Sequence, residues 1–106
     1  MRRLKELMSQ YRMAANYTDA DIKKKIIEML TKDGKVSSLD MEINNSKKDY
    51  LRIRRVLGEL YGHDFLYSQI LRTPENLIVK TDKMLYRVFL VTKKFSDAVD
   101  KGERIE

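Results

Sequence analysis

Apolar residues recur at helical spacing at the start of the chain, and a break rich in turn-forming residues follows them. Residues 2–15 place Leu4, Leu7, Met8 and Tyr11 on one face of a predicted helix, with mostly polar and charged residues elsewhere. We expect this stripe to pack against the rest of the domain or against a second copy of the chain. A helix lying on a membrane surface is the less favoured alternative.

A second helix is predicted to begin after Thr18, because Thr18 and Asp21 have the spacing of a capping box. Apolar residues follow at helical intervals, and Gly34 is well placed to end this helix. Beyond it, the pattern predicts one strand position at Val36 and a brief helix that buries Leu39 and Ile43, and that buries Met41 less clearly.

Residues 46–61, SKKDYLRIRRVLGELY, predict an amphipathic helix with two different faces. Its apolar residues fall within one arc, and Ser46 is suited to cap its N-terminus. A DNA phosphate backbone is a common partner for such a basic face, and a merely solvated surface is the alternative. The cations of the face are Lys47, Lys48, Arg52, Arg54 and Arg55.

The period then changes, and β-forming residues dominate residues 65–71 and 77–81. The connection between them, RTPEN, holds the single proline of the chain. We therefore predict an antiparallel hairpin with Arg72 and Lys80 on it.

A last helix is predicted from Asp82 to Lys101, with apolar residues on about half of its circumference. Its middle, LYRVFLVT, also favours a strand, but the length of the segment and the spacing of Phe95 and Val99 favour a helix.

Composition fits one intracellular domain with a basic surface. The 106 residues are 42% hydrophobic, and 22 Lys and Arg against 16 Asp and Glu give a net charge of +6. This excess favours a polyanionic partner. No apolar run approaches the ~20 residues of a membrane span, and the N-terminus lacks the apolar core of a secretory signal. We expect a cytoplasmic protein without a membrane partner.

The chemistry of an enzyme is not apparent in the sequence. The chain has no cysteine and one histidine, His63, without a neighbouring catalytic or metal-binding partner. The four glycines are isolated, so no phosphate-binding loop is formed. We expect no catalytic residue, no metal and no cofactor.

From residue 22 to 81 the chain resembles the winged helix-turn-helix superfamily. The segments IKKKIIEML, VSSLDMEI, NNS, KKDYLRIRRVLGEL and RTPEN carry the resemblance. It implies an α+β fold, mostly α with a small β-hairpin, with helix 46–61 in the major groove and the hairpin as a wing. Arg72 and Lys80 would be the wing cations. The spacing before Ser46 requires the preceding helix to be very short.

The apolar pattern and the resemblance together predict a single domain made of an N-terminal helix (1–17), a winged-helix core (18–81) and a C-terminal helix with a frayed tail (82–106). It favours a double-stranded DNA-binding protein, such as a small transcription regulator. The alternative is a winged-helix module that binds another protein within a nucleic-acid-associated complex. DNA binding requires the cations on one exposed surface, whereas a protein-binding module would pair or disperse them and expose an apolar patch. RNA is less favoured, although Tyr61 and Tyr67 are suited to base stacking.

The apolar stripes of the two terminal helices also predict a symmetric homodimer that presents two basic helices to DNA. Packing of the two stripes within one chain is the alternative. Phe95 and Val88 are expected at the centre of the contact. The predicted dimerisation residues are Leu4, Leu7, Met8, Tyr11, Leu85, Val88, Phe89, Phe95 and Val99.

Overall fold

The computed structural model of the protein describes residues 18–105. The predicted N-terminal helix, with Leu4, Leu7, Met8 and Tyr11, lies outside the described residues. Within them the chain has five helices and a three-stranded antiparallel sheet, which confirms the predicted α+β class. The elements are α1 (Asp19–Asp33), β1 (Lys35–Ser37), α2 (Ser38–Asn44), α3 (Lys47–Gly62), β2 (Leu66–Arg72), α4 (Glu75–Thr81), β3 (Leu85–Val91) and α5 (Lys93–Asp100).

Helix α1 begins and ends where its capping residues predict. The Thr18 hydroxyl accepts a hydrogen bond from the Asp21 backbone N–H at 3.2 Å, and the Asp21 carboxylate accepts one from the Thr18 N–H at 3.1 Å. Hydrogen bonds from Thr18 lower the pKa of Asp21. Gly34 has φ +74°, a left-handed conformation that glycine adopts without steric cost, and its N–H donates to the Leu30 carbonyl at 2.8 Å.

The short helix before the basic helix is present, as the spacing requires. Ser37 caps α2, because its hydroxyl accepts from the Asp40 N–H at 3.3 Å. Ser46 caps α3 in the same way, through the Asp49 N–H at 3.1 Å. Two serine caps nine residues apart therefore set the spacing of the starts of α2 and α3.

The sheet has the order β1-β3-β2, so β3 is its central strand. The prediction that residues 77–81 form the second strand of the hairpin is wrong, because they lie in α4. β2 pairs with β3 instead, from Leu66 opposite Val91 to Arg72 opposite Leu85. Pro74 directly precedes α4, and Glu75 lies in the first turn of that helix. Both residues are typical of a helix start, but the β-forming residues LIV that follow favoured a strand prediction instead.

The prediction of one helix from Asp82 to Lys101 is also wrong. This segment forms β3 and then α5, and Thr92 caps α5 by accepting from the Phe95 N–H at 3.4 Å. The central strand has neighbours on both edges and is partly buried along its second half, and its sequence is apolar apart from Arg87. Such a run matches a buried helix as well as a buried strand.

The core lies between α1, α3 and the inner face of the sheet, and α5 closes one end. Phe95, predicted to lie at the centre of a dimer contact, is only 2% exposed and belongs to this core. Val88 lies on the central strand, so it does not share a helix face with Phe95. Phe89 and Val99 pack against the core, whereas Leu85 is exposed. The single apolar helix face on which the dimer argument rested does not exist, and dimerisation itself stays a prediction.

Candidate nucleic-acid interface

Helix α3 buries its apolar stripe and turns its cations outward. Ile53, Leu57 and Leu60 are at most 1% exposed, and the solvent side of the helix carries Leu51, which is 49% exposed. The cations Lys47, Lys48, Arg54 and Arg55 are all exposed, and Arg52 is half-buried at the edge. The structure thus places four of the five predicted helix cations on the solvent-facing side of α3, and Arg52 at the edge of that side.

One carboxylate at the start of α1 contacts two of these cations. Arg52 Nε lies 3.0 Å from Asp19 Oδ1, and Arg55 Nη1 lies 3.3 Å from Asp19 Oδ2. The Arg55 and Asp19 side chains are more than half exposed, so this contact is worth little in water. Asp19 therefore offsets one positive charge on this flank and leaves the rest of the surface cationic.

Arg54 lies on the other flank of α3, near the hairpin. Its guanidinium carbon is 6.0 Å from the centre of the Tyr50 ring, and Lys83 Nζ is 5.6 Å from the same ring. Lys83 Nζ also lies 2.9 Å from Glu42 Oε1. A cation–π and ion-pair cluster therefore connects α2, α3 and the start of β3.

The two predicted wing cations lie on different elements. Arg72 ends β2 opposite Leu85, and Lys80 lies in the last turn of α4. Both side chains are exposed. They flank the hairpin connection, but they do not lie on the two paired strands that the sequence predicted.

The far end of the hairpin exposes several large apolar side chains. Exposed fractions of 41 to 60% are found on the last residues of β2 and the first of β3, and Val79 of α4 is 88% exposed. The apolar residues at the strand ends are Ile70, Leu71, Met84 and Leu85. This is the feature that the sequence assigned to a protein-binding module.

Lys83 and Arg87 were not predicted as site residues, because both fell within the wrongly predicted helix. In the structure the Arg87 backbone N–H donates to Ser38 Oγ at 3.0 Å, and Arg87 Nη1 donates to Ser68 Oγ at 2.9 Å. Arg54, Lys83 and Arg87 all line one cavity between α2, α3 and the hairpin. The β-forming residues YRVFLV were the signal that could have placed Arg87 on a strand.

The pKa shifts and the arrangement of possible metal ligands contribute little to the candidate interface. Burial raises the pKa of Asp40 in the first turn of α2. In residues 18–105, no group of three His, Asp or Glu side chains is arranged to hold a metal ion. Among the described helices, none combines the length and the apolar character that crossing a bilayer requires.

Comparison with known proteins adds no relative to this picture. No protein-family model, no curated protein and no solved structure matches the chain. The fold class therefore stands on the structure itself, and the winged-helix assignment stays a resemblance.

Proposed function

We propose that this protein is a winged helix-turn-helix protein that binds double-stranded DNA and acts as a small transcription regulator. Helix α3 would enter the major groove, and the β2–β3 hairpin with its connection would lie along the sugar-phosphate backbone. The observation that carries the proposal is the solvent-facing side of α3, with four exposed cations opposite a buried apolar stripe.

The arrangement of the elements supports the same proposal. The order of the first elements is helix, strand, helix, helix, strand, and the last sheet strand returns between the other two. This order is compatible with a winged-helix arrangement. The connection between β2 and β3 is long and contains α4, so this wing would be broader than a simple hairpin.

Glycines on the solvent side of α3 also favour close approach to a duplex. Gly58 and Gly62 are exposed, and a Cβ built on either would meet nothing within 4 Å. Neither glycine is required by packing within the described chain. Their lack of side chains leaves the helix surface low between Arg54 and Arg55.

The test is a pair of double variants measured on random-sequence duplex DNA. Lys48→Gln with Arg55→Gln removes two exposed cations from α3 without touching the core. We expect binding to weaken at least about tenfold at fixed salt, since a phosphate or base contact contributes about 1 kcal/mol or more. Fluorescence anisotropy of labelled duplex gives both affinities.

The matched control, Lys32→Gln with Lys101→Gln, removes two exposed lysines that lie outside α3 and the hairpin. It carries the same net charge as the first variant, so it separates local contacts from overall attraction. Equal affinity of the two double variants would overturn the assignment of α3 as the DNA-contacting helix.

A protein-binding module is the second candidate function, and the apolar hairpin end favours it. Ile70 and Leu85 are 56% and 58% exposed, and such apolar surface commonly marks a protein contact. The predicted homodimer is one form that this contact could take. Wild-type protein that fails to bind duplex DNA at low salt would favour this second function.

A further inference from the structure

A cavity of about 410 Å³ lies between α2, α3 and the β2–β3 hairpin. This volume is within the range of small-molecule sites in proteins. Tyr50 and Arg54 line it from α3, Glu42 from α2, and Lys83 and Arg87 from the returning side of the hairpin. Three separate parts of the fold therefore contribute polar side chains to one concave site.

The cavity is electropositive. Three cationic side chains and one carboxylate line it, which leaves a formal excess of two positive charges. Glu42 contacts Lys83 alone among these cations, at 2.9 Å. Arg54 and Lys83 both lie over the Tyr50 ring, 6.0 and 5.6 Å from its centre, and this contact holds both cations beside the cavity. A phosphate monoester carries ≈ −1.5 to −2 charges at neutral pH and matches this excess.

The rest of the lining suits a flat ring. Tyr61 packs edge-on against Phe89, with ring centres 6.3 Å apart, and both line the cavity together with Leu39. Tyr61 is 47% exposed, so part of its ring is available for stacking. Thr73 lines the cavity too, and its buried Oγ1 has no hydrogen-bond partner within residues 18–105.

We infer that this cavity binds a small aromatic phosphomonoester of mononucleotide size. The phosphate contacts Arg54, Lys83 and Arg87, and the ring lies against Tyr61 and Phe89. The inference does not rest on DNA binding, because it concerns a ligand that fits inside the cavity. The phosphomonoester has two possible sources, a free mononucleotide or the 5′ end of a nucleic acid strand.

Isothermal titration of the whole protein with AMP, GMP, CMP and UMP, each alone, tests the inference. Adenosine and inorganic phosphate are the comparison ligands, because each of them supplies one half of the nucleotide. At least one nucleotide is expected to bind at least about tenfold more tightly than both, because charge and stacking then act together. Failure of all four nucleotides to exceed inorganic phosphate would overturn the inference.

Variants locate the binding. Arg54→Gln and Lys83→Gln are each expected to weaken nucleotide binding about tenfold. Lys32→Gln, an exposed lysine outside the cavity, is expected to leave it unchanged. Since Arg54 and Lys83 are exposed, both variants should fold, which a thermal melt checks. If both cavity variants bind the nucleotide with wild-type affinity, the nucleotide binds elsewhere and the inference is wrong.

Competition identifies the source of the ligand. Displacement of the nucleotide by a 5′-phosphorylated oligonucleotide, but not by its 5′-hydroxyl form, would assign the cavity to strand ends. Displacement by neither would assign it to free nucleotides. Equal displacement by both would show recognition of internal phosphates, which contradicts a phosphomonoester site. These titrations contain no duplex, so their failure is distinguishable from a failure of the proposed DNA binding.

Discussion

At the scale of single residues, two threonine hydroxyls have opposite roles. Thr73 is 3% exposed, and its Oγ1 is buried without a partner in the described part of the chain. Thr92 caps α5, and its hydroxyl also donates to the Asp64 carbonyl at 2.6 Å. A buried hydroxyl without a partner lowers stability, whereas a satisfied capping hydroxyl raises it.

Thr73→Val is therefore expected to raise the free energy of unfolding by about 1 kcal/mol, because valine has nearly the same shape and no polar atom to bury. Thr73 also precedes Pro74, where an extended backbone suits a β-branched residue. Urea denaturation followed by circular dichroism measures the change. The comparison variant, Thr92→Val, is expected to lower stability by about 1 kcal/mol. A destabilised Thr73→Val protein would mean that the hydroxyl has a partner after all.

At the scale of elements, the middle of α3 contains a glycine that the fold does not require. Gly58 has no neighbour within 4 Å of a built Cβ, so no second backbone approaches it closely among the described residues. Gly34 is the opposite case, since its φ of +74° ends α1 in a left-handed conformation. The two positions thus make a matched pair for testing helix propensity against backbone strain.

Gly58→Ala is expected to stabilise the protein by about 1 kcal/mol, because alanine loses less backbone freedom in a helix. Gly34→Ala is expected to destabilise it by about 1 to 2 kcal/mol, because a Cβ is strained in the left-handed region. Denaturant midpoints of both variants measure these effects. A loss of stability in Gly58→Ala would indicate that something outside the described residues packs on this face of α3.

Elements with local start and stop signals were predictable from the sequence. Thr18, Ser46 and Gly34 all act on backbone groups within a few residues, and the bounds that they predict for α1 and α3 agree with the structure. The five cations of α3 were predictable for the same reason, because helical period alone separates them from the buried face.

The second half of the chain depends on long-range pairing, which local pattern does not encode. Leu85 to Val91 forms a strand because β1 and β2 lie on either side of it, and the paired residues are 13 to 55 positions apart in the chain. The sequence predicted that β2 pairs with residues 77–81, but β2 pairs with β3. Residues 77–81 lie in α4 after Pro74 instead. The cavity cations Lys83 and Arg87 were missed with these elements, since their positions follow from the sheet.

At the scale of the whole molecule, positive charge is placed on both elements of the proposed interface. Lys47, Lys48, Arg54 and Arg55 are exposed on α3, and Arg72 and Lys80 are exposed around the hairpin connection. Each phosphate that such a cation neutralises releases counterions. The slope of log K against log salt then becomes about 0.9 more negative. Contacts from about four to six of these cations therefore predict a slope between about −4 and −5.

The most direct test of duplex binding is the affinity of the wild-type protein for random-sequence duplex DNA across a salt series. We predict a linear plot of log K against log salt with a slope between about −4 and −5, and a slope smaller in size by about two units in the Lys48→Gln, Arg55→Gln variant. The Lys32→Gln, Lys101→Gln control should keep the wild-type slope. Absent binding at low salt, or a slope near zero, would contradict the account.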